Sequence, residues 1–249
     1  MIKREMLPGR SGYAVPCLHT LAGGEQMVCI VAHGFGSGKD GETSRRLLKE
    51  LPAYGIGVLA FDFPGHGESP ADSRLLAVER CLDDLAVAED RARQLCPAAE
   101  IVYFGSSFGG YATLHYLASR PHAGKKAFLR SAAVEMPAIY RQFLELARRV
   151  TKKTEDILVE EGYDRPLWMT DSFAADLAAH SVFSAYRPGT ASLAMAHGQE
   201  DDVASPEAAK RFAAEKGAKL MLFPGEGHRL DGPGTPERVI RMAVDFYNS

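Results

Sequence analysis

Five residues, Gly105–Gly109 with the sequence Gly-Ser-Ser-Phe-Gly, have the types and spacing of a nucleophile elbow. They follow an apolar run, Ile101–Phe104, and precede a helix-like stretch, Tyr111–Leu117. A Gly-x-Ser-x-Gly pentad on a strand-to-helix turn exposes one serine hydroxyl on a strained bend. Glycines on either side avoid collisions with the strand and the helix. The pattern and its context predict that Ser107 is an attacking nucleophile.

A base must lie within hydrogen-bond reach of such a serine, because the hydroxyl alone is a poor nucleophile at neutral pH. Among eight histidines, His228 lies in a glycine-rich turn directly after the last predicted strand. That position is at the carboxyl edge of the sheet, on the same side as the elbow. His228 is therefore the predicted general base, in preference to an ordinary surface histidine.

An acid should orient this histidine, and it should come from the turn after the preceding strand. The turn, His197–Val203, contains three acidic residues. Asp201 is the first choice, followed by Asp202 and then Glu200. Glu135, which follows an earlier strand, is a more distant alternative.

Acyl transfer also needs N–H donors aimed at the developing oxyanion. One is the amide of the residue after the nucleophile, Phe108. The second should come from the loop after the strand Met27–Ala32, which reads His33–Gly38. The Phe35 amide is the predicted second donor.

Other ligand motifs are not supported. The stretch Gly34–Asp40 superficially resembles a phosphate-binding loop. However, His33 stands where that motif requires glycine, and Asp40 stands where it requires Ser or Thr. His66, His115 and His122 have no metal-ligand spacing with cysteines or carboxylates. We expect no cofactor and no metal.

The elements that must position these residues alternate between short apolar runs and amphipathic stretches, a pattern typical of an α/β fold with a mainly parallel sheet. Uniformly apolar runs indicate strands buried on both faces. An earlier strand, Tyr13–Leu21, is predicted as an antiparallel edge strand paired with residues near the amino terminus. The predicted buried strands are Met27–Ala32, Ile56–Phe61, Ile101–Phe104, Lys126–Leu129, Ser192–Ala196 and Lys219–Phe223.

One segment, residues 135–188, interrupts the alternation and contains no good strand. We interpret it as a helical lid inserted after the sixth strand, with residues 1–134 and 189–249 forming the core. Its aromatic residues Trp168, Phe173 and Phe143 are candidates for substrate contact. The alternative is a solvated helical excursion, although the segment has more apolar surface than that requires.

Composition bounds the partners. The 249 residues are 46% hydrophobic, with a net charge of −3, so the chain can bury a large core and has no basic footprint for nucleic acid. No stretch has the roughly 20 apolar residues of a membrane span. Four cysteines without C-x-x-C spacing, and an amino terminus unlike a secretory signal, predict a cytoplasmic protein. Oligomeric state is not readable.

Taken together, these motifs resemble those of α/β-hydrolase-fold serine hydrolases over nearly the whole chain. Within that superfamily the chain is similar to small bacterial carboxylesterases of the cinnamoyl/feruloyl type and to acylglycerol lipases. Ser106 is a departure, since many relatives have another residue before the nucleophile. The matching segments are His33–Gly34, Asp62–Ser69, Gly105–Gly109, His197–Asp201 and Gly227–His228.

The resemblance implies a sheet of about eight strands and hydrolysis of a small-molecule carboxylic ester, with an apolar or aromatic acyl group. A thioester, lactone, small amide or peptide would use the same residues. A non-catalytic ligand-binding protein on the same fold is a third possibility. The presence of a complete triad, Ser107, Asp201 and His228, disfavours it.

Overall fold

A mixed sheet of eight strands forms the centre of the computed structural model, which describes residues 1–249. Numbered along the chain, the ten strands of the molecule are β1 (Lys3–Pro8), β2 (Ala14–His19), β3 (Met27–Ala32), β4 (Ile56–Phe61), β5 (Glu100–Ser106), β6 (Lys126–Arg130), β7 (Ile157–Val159), β8 (Leu167–Met169), β9 (Ser192–Gly198) and β10 (Lys219–Phe223). The sheet order is β1-β2-β4-β3-β5-β6-β9-β10. The strands β1 and β2 are antiparallel to their neighbours, and the other six are parallel.

Helices cover both faces of this sheet. They are α1 (Glu42–Glu50), α2 (Val78–Leu95), α3 (Phe108–Ser119), α4 (Met136–Thr151), α5 (Asp171–Ala179), α6 (Val182–Ala185), α7 (Pro206–Lys216) and α8 (Thr235–Tyr247), with 3₁₀ turns at Leu51–Tyr54 and Ser73–Leu75. One apolar core lies under α2, α3 and α7, and a second lies under α1 and α8. The predicted α/β-hydrolase architecture is confirmed.

The predicted strands match the observed ones closely, because strands between two helical layers are apolar along their whole length. Three of them, β3, β4 and β10, have the predicted bounds. The strand β10 differs in burial: it is the last strand of the sheet and leaves Met221 exposed. The predicted pairing of β2 with the amino terminus is observed, with Glu5 opposite Cys17, but β1 rather than β2 is the edge strand.

Between β6 and β9 the chain forms α4, α5 and α6. The expectation that residues 135–188 contain no strand is wrong: β7 and β8 pair antiparallel, with Leu158 opposite Trp168. Each has three residues, too few to show the alternation that marks a half-buried strand. No helix of the molecule combines the length and apolar character needed to cross a bilayer.

Candidate active site

The turn between β5 and α3 holds Ser107 at φ 52° and ψ −115°, a backbone conformation that is strained for serine. A Cβ on Gly105 would lie 2.7 Å from Gly110 Cα, and one on Gly109 would lie 2.0 Å from the carbonyl oxygen of Ala32. Only glycine tolerates such approaches. Strain of this kind persists where packing on all sides fixes the backbone, and it is concentrated at functional sites.

His228 reaches the same edge of the sheet from the turn after β10. Its Nε2 lies 2.9 Å from Ser107 Oγ, and its Nδ1 lies 2.9 and 3.0 Å from the carboxylate oxygens of Asp201. A carboxylate only accepts, so Nδ1 carries the proton and Nε2 accepts from the Ser107 hydroxyl. A backbone bond of 2.9 Å, donated by Glu200 N–H to the Glu226 carbonyl, holds this turn against the end of β9.

The carboxylate of Asp201 is fully buried and accepts bonds from the N–H groups of Val203 and Ala204 at 3.0 and 2.8 Å. Burial alone would raise its pKa. Hydrogen bonds from His197, His228 and the Ala204 N–H outweigh that effect and hold the pKa of Asp201 below its usual range. The acid beside His228 is therefore ionised at neutral pH.

The other acids considered for this position do not contact His228. Glu200 and Asp202, in the same turn, are exposed. Glu135 forms an ion pair with Arg211 at 2.8 Å. Of the four candidates, the structure brings only Asp201 within bonding distance of the imidazole.

Sequence reasoning missed the role of His197. This buried residue at the end of β9 lies with Nε2 2.8 Å from the Ala204 carbonyl and 3.1 Å from Asp201 Oδ2. Both partners are acceptors, so Nε2 donates, and His197 is a second imidazole in contact with the acid. The available signal was the spacing, since His197 lies four residues before Asp201 in the same turn.

The predicted oxyanion loop lies against the nucleophile: a Cβ on Gly34 would be 3.4 Å from Ser107 Cβ. The Phe35 N–H has no acceptor in the structure. Phe108 is the first residue of α3, so its N–H has no intrahelical acceptor. His33 fixes the loop, because its Nε2 accepts from Phe63 N–H at 3.0 Å and its Nδ1 donates to the Gly34 carbonyl at 2.8 Å.

A buried lysine ties this loop to the turn after β4. Lys39 Nζ has no exposed surface and lies 2.8 Å from both Asp62 Oδ2 and Glu68 Oε2. Asp62 also accepts from the backbone N–H groups of Lys39 and Glu68, at 2.7 and 2.9 Å. The predicted Asp62–Ser69 motif thus supports the oxyanion loop rather than contributing a reacting group.

Residues of the 135–188 segment contact the other side of the oxyanion loop. The backbone N–H of Asp164 donates to the Gly36 carbonyl at 2.7 Å, and Ser37 Oγ donates to the Asp164 carboxylate at 3.2 Å. The ring of Tyr163 packs edge-on against Phe35, with centroids 5.6 Å apart. The segment therefore buttresses the predicted oxyanion donor.

A cavity of about 810 Å³ opens in front of Ser107 and His228. The 135–188 segment contributes Met136, Ile139, Phe143, Gly162, Tyr163 and Asp164 to its lining, and Phe35 also lines it. Of the three aromatic residues predicted to contact substrate, only Phe143 lines the cavity. Phe173 is buried instead, stacked near Phe35 and edge-on to Tyr140, and the Trp168 ring packs under Arg74.

The chain is similar to proteins of a known family. A family model described as serine aminopeptidase, S33, matches residues 24–180, more than half of the chain. The chain belongs to this family. It is a family of α/β hydrolases, so membership confirms the resemblance noted from the motifs. The matched residues include Ser107 and the oxyanion loop, whereas Asp201 and His228 lie beyond them. None of the curated proteins compared with the chain matches it.

Solved structures of α/β hydrolases superimpose over the full chain. Est1E from Butyrivibrio proteoclasticus, with ferulic acid bound, has a TM-score of 0.82 at 20% identity and covers 98% of this chain and 100% of its own. A hydrolase from Agrobacterium vitis S4 has a TM-score of 0.81 at 17% identity and covers 99% of this chain and 98% of its own. The esterase EaEST from Exiguobacterium antarcticum has a TM-score of 0.73 at 16% identity and covers 99% of this chain and 100% of its own. At these identities the likeness concerns the fold.

Proposed function

We propose that the protein is a serine hydrolase that cleaves carboxylic esters through an acyl-enzyme intermediate. The observation that carries the proposal is the series Ser107–His228–Asp201, joined by contacts of 2.9 to 3.0 Å at one edge of the sheet. A hydroxyl, an imidazole and a buried carboxylate in this order activate a serine for acyl transfer. Esterases among the structural neighbours support the choice of ester.

In the first step, Ser107 Oγ attacks the ester carbonyl while His228 Nε2 takes the hydroxyl proton. The negative charge on the tetrahedral intermediate is stabilised by the N–H groups of Phe35 and Phe108. His228 then gives its proton to the departing alcohol oxygen. The alcohol leaves, and the acyl group stays on Ser107.

In the second step, a water molecule takes the place of the alcohol. His228 removes a proton from the water as it attacks the acyl carbonyl, and returns that proton to Ser107 Oγ when the acid leaves. Asp201 holds the imidazole in the tautomer that both steps need and stabilises the imidazolium. The enzyme is restored with no net gain or loss of protons.

An apolar or aromatic acyl group fits the cavity wall formed by Phe35, Ile139 and Phe143. The ferulic acid in the similar Est1E structure is an aromatic acid of this kind, which supports the preference. The 135–188 segment, which supplies part of that wall, acts in this proposal as a lid over the core formed by residues 1–134 and 189–249.

A second candidate substrate class is a small peptide or amide. The observation that favours it is the description of the matched family as serine aminopeptidases. Thioesters and lactones also suit an acyl-enzyme route. A panel of substrates that share one acyl group and differ in leaving group separates these classes by kcat/KM.

The proposed setting is the cytoplasm, with a small-molecule substrate and no nucleic-acid or membrane partner. All four cysteines are free and buried, which suits a reducing compartment.

The direct test replaces Ser107 with alanine. Turnover of p-nitrophenyl esters should vanish, together with labelling by a fluorophosphonate probe, while the circular dichroism spectrum is unchanged. Ser184→Ala, at an exposed serine of α6, is the matched control and should retain both. Ester turnover that persists in Ser107→Ala would contradict the proposal.

A further inference from the structure

Arg130 is a charged residue in the cavity that the proposed mechanism does not use. It lies at the end of β6, directly opposite Ser106 on β5. Its guanidinium donates to Ser106 Oγ at 2.8 Å. Ser106, Ser107 and Arg130 all line the cavity. A cation therefore lies in the same cavity as the nucleophile.

The guanidinium of Arg130 has no carboxylate within 4.0 Å. Three acids, Asp231, Glu42 and Asp201, act on its charge only through space. Two of them, Glu42 and Asp231, lie closer to the exposed Arg229, at 3.7 and 3.2 Å. Of the five N–H donors of the guanidinium, the structure gives a partner to one, on Ser106.

Five buried apolar residues also line the cavity: Val31, Phe104, Leu230, Val239 and Ile240. Burial of the guanidinium lowers the pKa of Arg130 to about 10, so the side chain is still charged at neutral pH. Its remaining N–H groups have no partner in the protein, and a carboxylate that accepts them in a fork would form charge-assisted bonds.

The position of Arg130 relative to His228 indicates which half of an ester could supply the carboxylate. His228 delivers its proton to the leaving oxygen, so the alcohol portion lies on the His228 side. Two of the residues that follow His228, Arg229 and Asp231, are near enough to Arg130 to act on its charge through space, and both line the cavity with it. We place the acyl group against the apolar residues Phe35 and Phe143, as in the proposed function.

We propose that Arg130 binds a carboxylate on the alcohol portion of the substrate, so that the preferred esters carry an anionic leaving group. This inference rests on the proposed esterase function and adds a subsite to it. Arg130 contacts the substrate in this role but takes no part in proton transfer.

The test compares 4-acetoxybenzoate with 4-acetoxybenzamide, two acetate esters whose leaving groups differ in charge. The ratio of their kcat/KM values should fall about 10-fold or more in Arg130→Met, because a charge-assisted bond is lost. Taking the same ratio in each variant cancels the intrinsic reactivity of the esters. Arg130→Lys should restore part of the ratio, since the charge remains but the fork does not.

Two further variants serve as controls. Arg149→Met removes an equal charge from an exposed position on α4 that does not line the cavity, and should leave the ratio unchanged. Glu42→Gln removes a carboxylate that lines the cavity and acts on Arg130 through space, and should raise the ratio. If Arg130→Met fails to fold, the partial loss expected in Arg130→Lys, which keeps the charge, tests the proposal.

Binding provides a readout that does not depend on turnover. In Ser107→Ala, calorimetry should show tighter binding of 4-hydroxybenzoate than of 4-hydroxybenzamide, and the added Arg130→Met change should abolish the difference.

The subsite would be overturned if Arg130→Met lowered kcat/KM equally for both esters and if 4-hydroxybenzoate and 4-hydroxybenzamide bound Ser107→Ala equally well. A charge preference seen only when the carboxylate is in the acyl part, as in phenyl hydrogen succinate against phenyl butyrate, would also overturn it. Failure of the esterase function looks different: the wild-type protein would hydrolyse neither ester and would not react with fluorophosphonate.

Discussion

At the scale of single residues, the site depends on keeping Asp201 charged without exposing it to water. Two histidines and two backbone N–H groups donate to its carboxylate. Only the pairing with His228 follows from the order of motifs along the chain. The spacing of His197 and Asp201 is a weak signal for their contact, because the contact also depends on a turn that folds one side chain back onto another four positions later.

Replacing Asp201 with asparagine should lower kcat by about 10⁴-fold, because the amide no longer enforces the tautomer that leaves Nε2 free to accept. Steady-state hydrolysis of a p-nitrophenyl ester measures the loss. Glu200→Gln, an exposed neighbour that does not line the cavity, should stay within a few-fold of wild type. Equal activity in Asp201→Asn and wild type would remove the carboxylate from the mechanism.

At the scale of elements, the sequence predicts the strands whose residue pattern is distinctive. It does not predict the elements and side-chain positions that depend on tertiary packing. Buried parallel strands such as β3 and β4 are predicted to the residue because both faces must be apolar. The short strands β7 and β8 are missed because their pairing, not their composition, defines them. Phe173 and Trp168 do not line the cavity, because an aromatic side chain in an inserted segment can pack inward as well as toward a ligand.

The contact between the 135–188 segment and the oxyanion loop leads to a prediction for Gly36. This residue has φ 78°, and a Cβ would lie 2.0 Å from the Tyr163 ring. Gly36→Ala should displace Tyr163 and the Phe35 N–H, lowering kcat toward the roughly 10²–10³-fold loss typical of a missing oxyanion donor. Activity and unfolding in urea should be measured together.

Gly12→Ala is the control that separates the collision with Tyr163 from the backbone strain of an alanine at positive φ. Gly12 also has a positive φ, 85°, but an added Cβ meets nothing within 4 Å. The variant should lose some stability and keep its kcat. If Gly36→Ala lost no more kcat than Gly12→Ala, the buttressing role of the segment would be excluded.

At the scale of the whole molecule, one buried acid outside the site makes stability depend on pH. Asp84 on α2 is fully buried, and its carboxylate accepts from the Tyr13 hydroxyl at 3.1 Å. Burial raises the pKa of Asp84 from 3.8 to about 7, against the opposing effect of that bond. Between these two values the folded state holds a proton that the unfolded state has released. This contribution to the free energy of unfolding therefore falls as pH rises through that window, and stays low above it.

Asp84→Asn should remove this dependence, because the amide is neutral at every pH and its carbonyl can still accept from Tyr13. The free energy of unfolding of the variant relative to wild type should rise from pH 5 to pH 7 and then level off, as measured by urea titrations. Asp245→Asn, at an exposed acid on α8, should produce no such trend. Parallel curves for Asp84→Asn and wild type would show that the acid is ionised throughout.

The three polar residues at the sheet edge come from distant parts of the chain, since 121 positions separate Ser107 from His228. Contacts of such long range form late, after the loop-closure entropy between them has been overcome. The elbow can take shape with β3, β5 and α3, but the imidazole arrives only when β10 docks beside β9. In the proposed mechanism, Ser107 therefore gains its base only after the sheet is complete as far as β10.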